Sequence, residues 1–90
     1  MAAVDPIQFL PLRKFFPELT EIQAVHVCML VFGHLSVEEL AELRNIAPNT
    51  VKESMSSVQK KLGVDSMKLL RVIVLSRVLM HIALYLFKDD

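Results

Sequence analysis

Apolar positions recur along this chain at helical spacing, and no stretch alternates with a period of two, so the expected fold is all-α. Thr20-Glu21-Ile22-Gln23 reads as a capping box that opens a first helix. Ile22, Val25, Cys28, Met29 and Phe32 then give one apolar stripe, which Gly33 ends. A second capping box, Ser36-Val37-Glu38-Glu39, starts a short helix that runs to about Arg44, with Leu40 and Leu43 facing inward. Ala41 is small enough there to admit a neighbouring helix. Asn45-Ile46-Ala47 is a short turn, and Pro48 takes the first turn of a third helix, where its missing N–H loses no partner. Within that helix Val51, Met55, Val58 and Leu62 form a narrow apolar stripe, and the other positions are polar. Gly63 closes it, with Val64 folding back. Ser66 caps a fourth helix from Met67 to about Phe87 that is apolar nearly all round.

That last helix spans some 30 Å at 1.5 Å per residue, more than three short helices can cover. Its excess apolar surface predicts a partner, most simply the same helix of a second chain. The organisation expected is therefore a segment over residues 1–18 followed by a helical domain over 19–90, with an extended last helix over about 66–87. Residues 1–18 hold Pro6, Pro11 and Pro17, a spacing that argues against a long helix. Phe9, Leu10, Leu12, Phe15 and Phe16 in the same stretch point to packing, either on the chain's own domain or on a partner.

Ten Lys and Arg balance ten Asp and Glu, so any nucleic-acid contact must come from a local patch and not from overall charge. A single cysteine, Cys28, rules out an internal disulfide and suits a reducing compartment. The N-terminal residues lack the basic start and apolar run of a signal peptide. The apolar stretch from Leu69 to Phe87 is broken by Arg71, Arg77 and His81, which favours a packed helix over a membrane span. His26, His34, His81 and Cys28 form no closed ligand set, because His26 and Cys28 point to different faces of one helix. Ser54, Ser56 and Ser57 have no base-and-orienter arrangement beside them, and no glycine-rich phosphate loop occurs. No enzyme activity, metal or cofactor is expected.

Two helices joined by a short turn, the second anchored by one stripe, read as a helix-turn-helix. The run from Leu19 to Ser66 resembles the DNA-binding domain of LuxR-type (GerE-like) transcription regulators. The matching positions are Leu19-Thr20; Gly33, Ser36, Glu39, Leu40 and Ala41; Ile46, Ala47, Thr50, Val51 and Lys52; and Lys60 to Val64. The resemblance covers residues 19 to about 75. It implies a four-helix helix-turn-helix domain with a recognition helix over about 48–61. Thr50 would then bond a phosphate, Lys52 a base edge or phosphate, and Lys60 and Lys61 the DNA backbone. Glu53 and Ser56 would face the major groove, and the fourth helix would make a dimer.

The chain departs from the family pattern at several positions. Ser54 stands where the family often has histidine, Arg44 where a buried leucine is usual, and Leu43 where the family position is exposed. The last helix also runs well past the usual family end.

The expected function is that of a stand-alone, cytoplasmic bacterial regulator, nucleoid-associated when bound to double-stranded DNA. Its expected DNA-binding residues are Asn49, Thr50, Lys52, Glu53, Ser56, Ser57, Lys60 and Lys61. Three lysines against Glu53 leave a local surplus of only two charges, so binding should be weak per monomer and salt-sensitive. The expected homodimer interface is Ile73, Arg77, Met80, Leu84 and Phe87, with Arg71 or Arg77 pairing across it with acidic groups. A different class of function also fits: an interaction module that binds a second regulatory protein through the fourth helix and the N-terminal segment.

Overall fold

The computed structural model describes residues 5–87, and these are all-helical with no strand among them. Residues 1–4 of the expected N-terminal segment and 88–90 of the expected domain lie outside the described residues. A 3₁₀ helix, Pro6–Phe15, is followed by α1 (Glu21–Phe32), α2 (Val37–Arg44), α3 (Pro48–Leu62) and α4 (Met67–Leu86). Both capping boxes form. Thr20 accepts from the Gln23 amide at 3.1 Å while Gln23 accepts from the Thr20 amide, and Ser36 and Glu39 do the same. Ser66 accepts from the Leu69 amide at 3.1 Å and starts α4.

The helix ends are specific. Asn45 is left-handed (φ 58°), its amide donates to the Glu42 carbonyl, and the Ile46 amide reaches back to Ala41 at 2.9 Å. Gly63 (φ 75°) and Val64 repeat this arrangement on Lys60 and Gln59. At the end of α1 the left-handed residue is His34 (φ 56°) and not Gly33, which stays right-handed. Gly33 is needed for a different reason: a Cβ there would sit 2.5 Å from the Met29 carbonyl oxygen.

α1 is the centre of the molecule and touches every other element. Seven consecutive residues, Ala24 to Leu30, are buried, so it is enclosed on all sides at its middle and not held by one stripe. The expected stripe also fails at its start, since Ile22 is 58% exposed. Leu40 and Ala41 of α2, Val51, Met55 and Val58 of α3, and Leu70, Val74 and Val78 of α4 close around it. Leu43, expected to face inward, is exposed, and Arg44 turns toward α1 in its place.

From residue 6 to residue 16 the N-terminal segment packs on its own domain. Its prolines do not prevent a helical run: Pro6 is at the first turn, Asp5 caps it by accepting from the Ile7 amide, and Pro11 is accommodated inside the 3₁₀ helix. Phe16 is fully buried, and Phe9, Leu10, Leu12 and Phe15 pack against the core around it. α4 fastens this segment from the other side. Arg77 donates to Glu18 at 2.7 Å and to the Phe15 carbonyl at 3.1 Å, and its guanidinium lies 5.2 Å from the Phe16 ring centre. His81 packs against Phe15 with ring centres 4.8 Å apart and planes tilted by 45°.

By length and composition α4 is sufficient to cross a membrane. In the structure its inner stripe, Leu70, Val74 and Val78, is buried, while most of its remaining apolar side chains are exposed.

Candidate nucleic-acid interface

α3 carries the candidate surface. Val51, Met55 and Val58 are buried and Leu62 is half-buried, so one edge of the helix is embedded and the rest of its circumference is available. No side chain caps its first turn. Ala47 occupies the cap position, leaving first-turn amides without a side-chain acceptor.

The eight expected contact residues do not share one face. Helical spacing places Asn49, Lys52, Glu53, Ser56 and Lys60 opposite the buried edge, and all five are exposed. Thr50, Ser57 and Lys61 lie on the flank toward α1. There Lys61 donates to the Gln23 side-chain oxygen at 2.8 Å, and the Gln23 amide group donates to the Ser57 hydroxyl at 3.2 Å. Ser57 and Lys61 therefore join α3 to the start of α1. The outward face keeps Lys52 and Lys60 against Glu53, a surplus of one charge and not the two counted along the whole helix.

Gln23 does more than close the capping box. Its side chain serves the cap, Lys61 and Ser57 together. One helical turn further along α1, His26 is 95% buried and its Nε2 accepts from Arg44 Nε at 3.0 Å. Nε2 accepts, so the neutral ring carries its proton on Nδ1, and that atom has no partner. Burial, with the Arg44 charge adding to it, holds the His26 pKa below its ordinary value. Ile22, His26, Arg44, Ile46, Thr50 and Ser54 line a cleft of about 260 Å³ beside the α3 flank.

Of the expected dimer residues, Met80, Leu84 and Phe87 are exposed, Ile73 is half-buried, and Arg77 is engaged within its own chain by Glu18. Arg77 holds the Glu18 carboxyl below its usual range. In the structure the acidic group beside Arg77 is thus Glu18 of its own chain. A different line on α4 is both apolar and exposed throughout: Val72, Leu75, Leu79, Ile82 and Leu86, spaced alternately three and four apart. At its N-terminal end this line borders a groove of about 410 Å³ floored by Leu30, Val31 and Leu35. Among the described residues no three His, Cys, Asp or Glu side chains converge on a possible metal position. Cys28 is fully buried, and burial pushes its thiol pKa up to about 12.

No protein-family model matches the chain, and no solved structure matches it significantly. Among curated proteins it is similar to Protein TraJ of Escherichia coli, with 30% identity over 66 residues. That match covers 73% of this chain and 44% of TraJ, so the chain spans less than half the length of this relative.

Proposed function

We propose that the chain is a LuxR-type helix-turn-helix regulator that reads double-stranded DNA with α3 and acts as a homodimer through α4. The observation that carries this reading is the mounting of α3: one embedded edge, a fixed left-handed turn at Asn45 before it, and an outward face of Asn49, Lys52, Glu53, Ser56 and Lys60. A helix held this way can enter a major groove without losing its packing. Lysines there would meet phosphates or guanine, and Glu53 would accept from cytosine N4. The similarity to Protein TraJ is compatible with a regulatory role. The weak charge of the outward face makes a dimer necessary, since two copies double the phosphate contacts.

Fluorescence titration of the intact chain with a randomised duplex pool, then with selected sequences, tests the reading over a range of salt. Lys52→Ala and Lys60→Ala should each weaken binding, and Lys60→Ala should flatten the log–log salt slope by about one. A folded dimer with no measurable duplex affinity at low salt defeats it.

One observation favours a second reading, an interaction module for another regulatory protein. The apolar line on α4 is longer and less compensated by charge than the outward face of α3. Under that reading alanine changes on α3 leave function intact while charged changes on α4 abolish it.

A further inference from the structure

The cleft between α1 and the first half of α3 contains an arginine that no carboxylate among the described residues pairs with. Arg44 is only partly exposed, and its Nε is bound to a neutral imidazole. Among the described residues no carboxylate oxygen lies within 4 Å of its guanidinium. Glu21 shares a neighbouring cleft with Arg44 but is paired with Arg13 at 2.5 Å. A half-buried guanidinium costs desolvation, and a hydrogen bond to His26 returns none of the lost charge compensation. Across the cleft stand Thr50 and Ser54, four residues apart on one flank of α3, and neither hydroxyl has a hydrogen-bond partner among the described residues. His26, buried and with Nδ1 unpartnered, lines the same space. The arrangement therefore has a planar fork of donors fixed at one nitrogen, two hydroxyl donors opposite, and no acidic residue in the lining.

We infer that this cleft is an oxyanion site that takes a phosphate group, with Arg44 as the bidentate donor and Thr50 and Ser54 as hydroxyl donors. The His26–Arg44 bond fixes the guanidinium plane, so less side-chain entropy is lost when the fork closes on two oxygens. Ile22 and Ile46 supply the apolar part of the cleft lining. The phosphate group can come from two sources, a DNA backbone beside α3 or a free phosphate. The site does not depend on DNA reading by α3.

The probes are inorganic phosphate and a short duplex, applied to the full chain in low-salt buffer. With phosphate, nuclear magnetic resonance should show saturable shifts at the Arg44 Nε–H and at the Thr50 and Ser54 amides. Arg44→Leu should abolish saturation while circular dichroism shows native helical content. Arg44→Lys keeps the charge but not the fork and should weaken phosphate binding several-fold. Thr50→Val, which changes no charge, should also weaken it several-fold, whereas Lys68→Ala, an exposed charge on α4, should leave it within twofold.

With duplex, a backbone source predicts that Arg44→Leu flattens the salt slope by about one and that free phosphate competes. An unchanged duplex affinity alongside lost phosphate binding assigns the site to a free phosphate. Loss of all duplex binding in the wild type with intact phosphate saturation removes the DNA reading and leaves the site standing. Shifts that track ionic strength alone, equal in wild type and Arg44→Leu, overturn the inference.

Discussion

His26 is a buried base in contact with a cation, and that combination has a pH signature. In the folded chain its pKa lies below the ordinary 6.5, because burial and then Arg44 disfavour the imidazolium. The unfolded chain therefore binds the additional proton first as pH falls. Its stabilising contribution is present above pH 6.5 and is lost as pH drops through the folded value. Urea midpoints measured from pH 8 to pH 5 should fall below about 6.5, and His26→Leu should remove that part of the slope; a slope unchanged in the variant refutes the assignment. Glu18, lowered by its bond to Arg77, acts in a separate window below its ordinary 4.5. Gly33 makes the second prediction at this scale. Its missing Cβ leaves the Met29 carbonyl unobstructed, so Gly33→Ala should cost about 1–3 kcal/mol in denaturant unfolding although its backbone φ is ordinary. A variant as stable as wild type would show that the α1 end relaxes freely. Sequence pattern located both glycines at helix ends but could not separate their reasons, because a left-handed φ and a close carbonyl produce the same residue.

The helix starts and stops were legible to within a residue or so, since capping boxes, Pro48, Asn45 and Gly63 act locally. What periodicity missed is how many sides of a helix are covered. α1 is surrounded by four elements, so its burial runs through seven successive residues, which no amphipathic stripe describes. The inward turn of Arg44 was readable only as a leucine displaced by one position. Its cause lies on α1, where His26 supplies the acceptor. The N-terminal segment shows the same limit. Proline spacing argued against a helix there, but it argued only against α-helical length, and a 3₁₀ run with Pro6 at its start tolerates Pro11. This segment is part of the core, and Phe16 is the test. With its ring fully buried against α1 and Arg77, Phe16→Ala should cost about 3–5 kcal/mol. For a domain whose total is near the low end of 5–15 kcal/mol, that loss should leave a substantial unfolded fraction by circular dichroism at 37 °C. A stable, cooperative Phe16→Ala variant would mean the segment only rests on the domain.

For the molecule as a whole, the unresolved quantity in the sequence was which side of α4 is left over. A helix apolar nearly all round offers several lines with spacings of three and four, and Ile73, Arg77, Met80, Leu84 and Phe87 is as regular as Val72, Leu75, Leu79, Ile82 and Leu86. Tertiary packing separates them: the first line loses Arg77 to Glu18 and half of Ile73 to the interior, while every member of the second is exposed. Alternation of three and four is the spacing that two helices bury against each other. A single line repeated in each copy also satisfies the self-complementarity of a two-fold contact. If α4 joins two copies, the second line should carry the contact. Leu75→Arg and Leu79→Arg should then shift the sedimenting mass from two chains to one, with helical content retained because neither side chain belongs to the core. Leu84→Arg, on the first line, should leave the mass at two chains. The reverse pattern would return the interface to the Ile73–Phe87 line. A monomeric wild type that floats with lipid vesicles would instead assign α4's exposed surface to a membrane, consistent with its length of 20 residues.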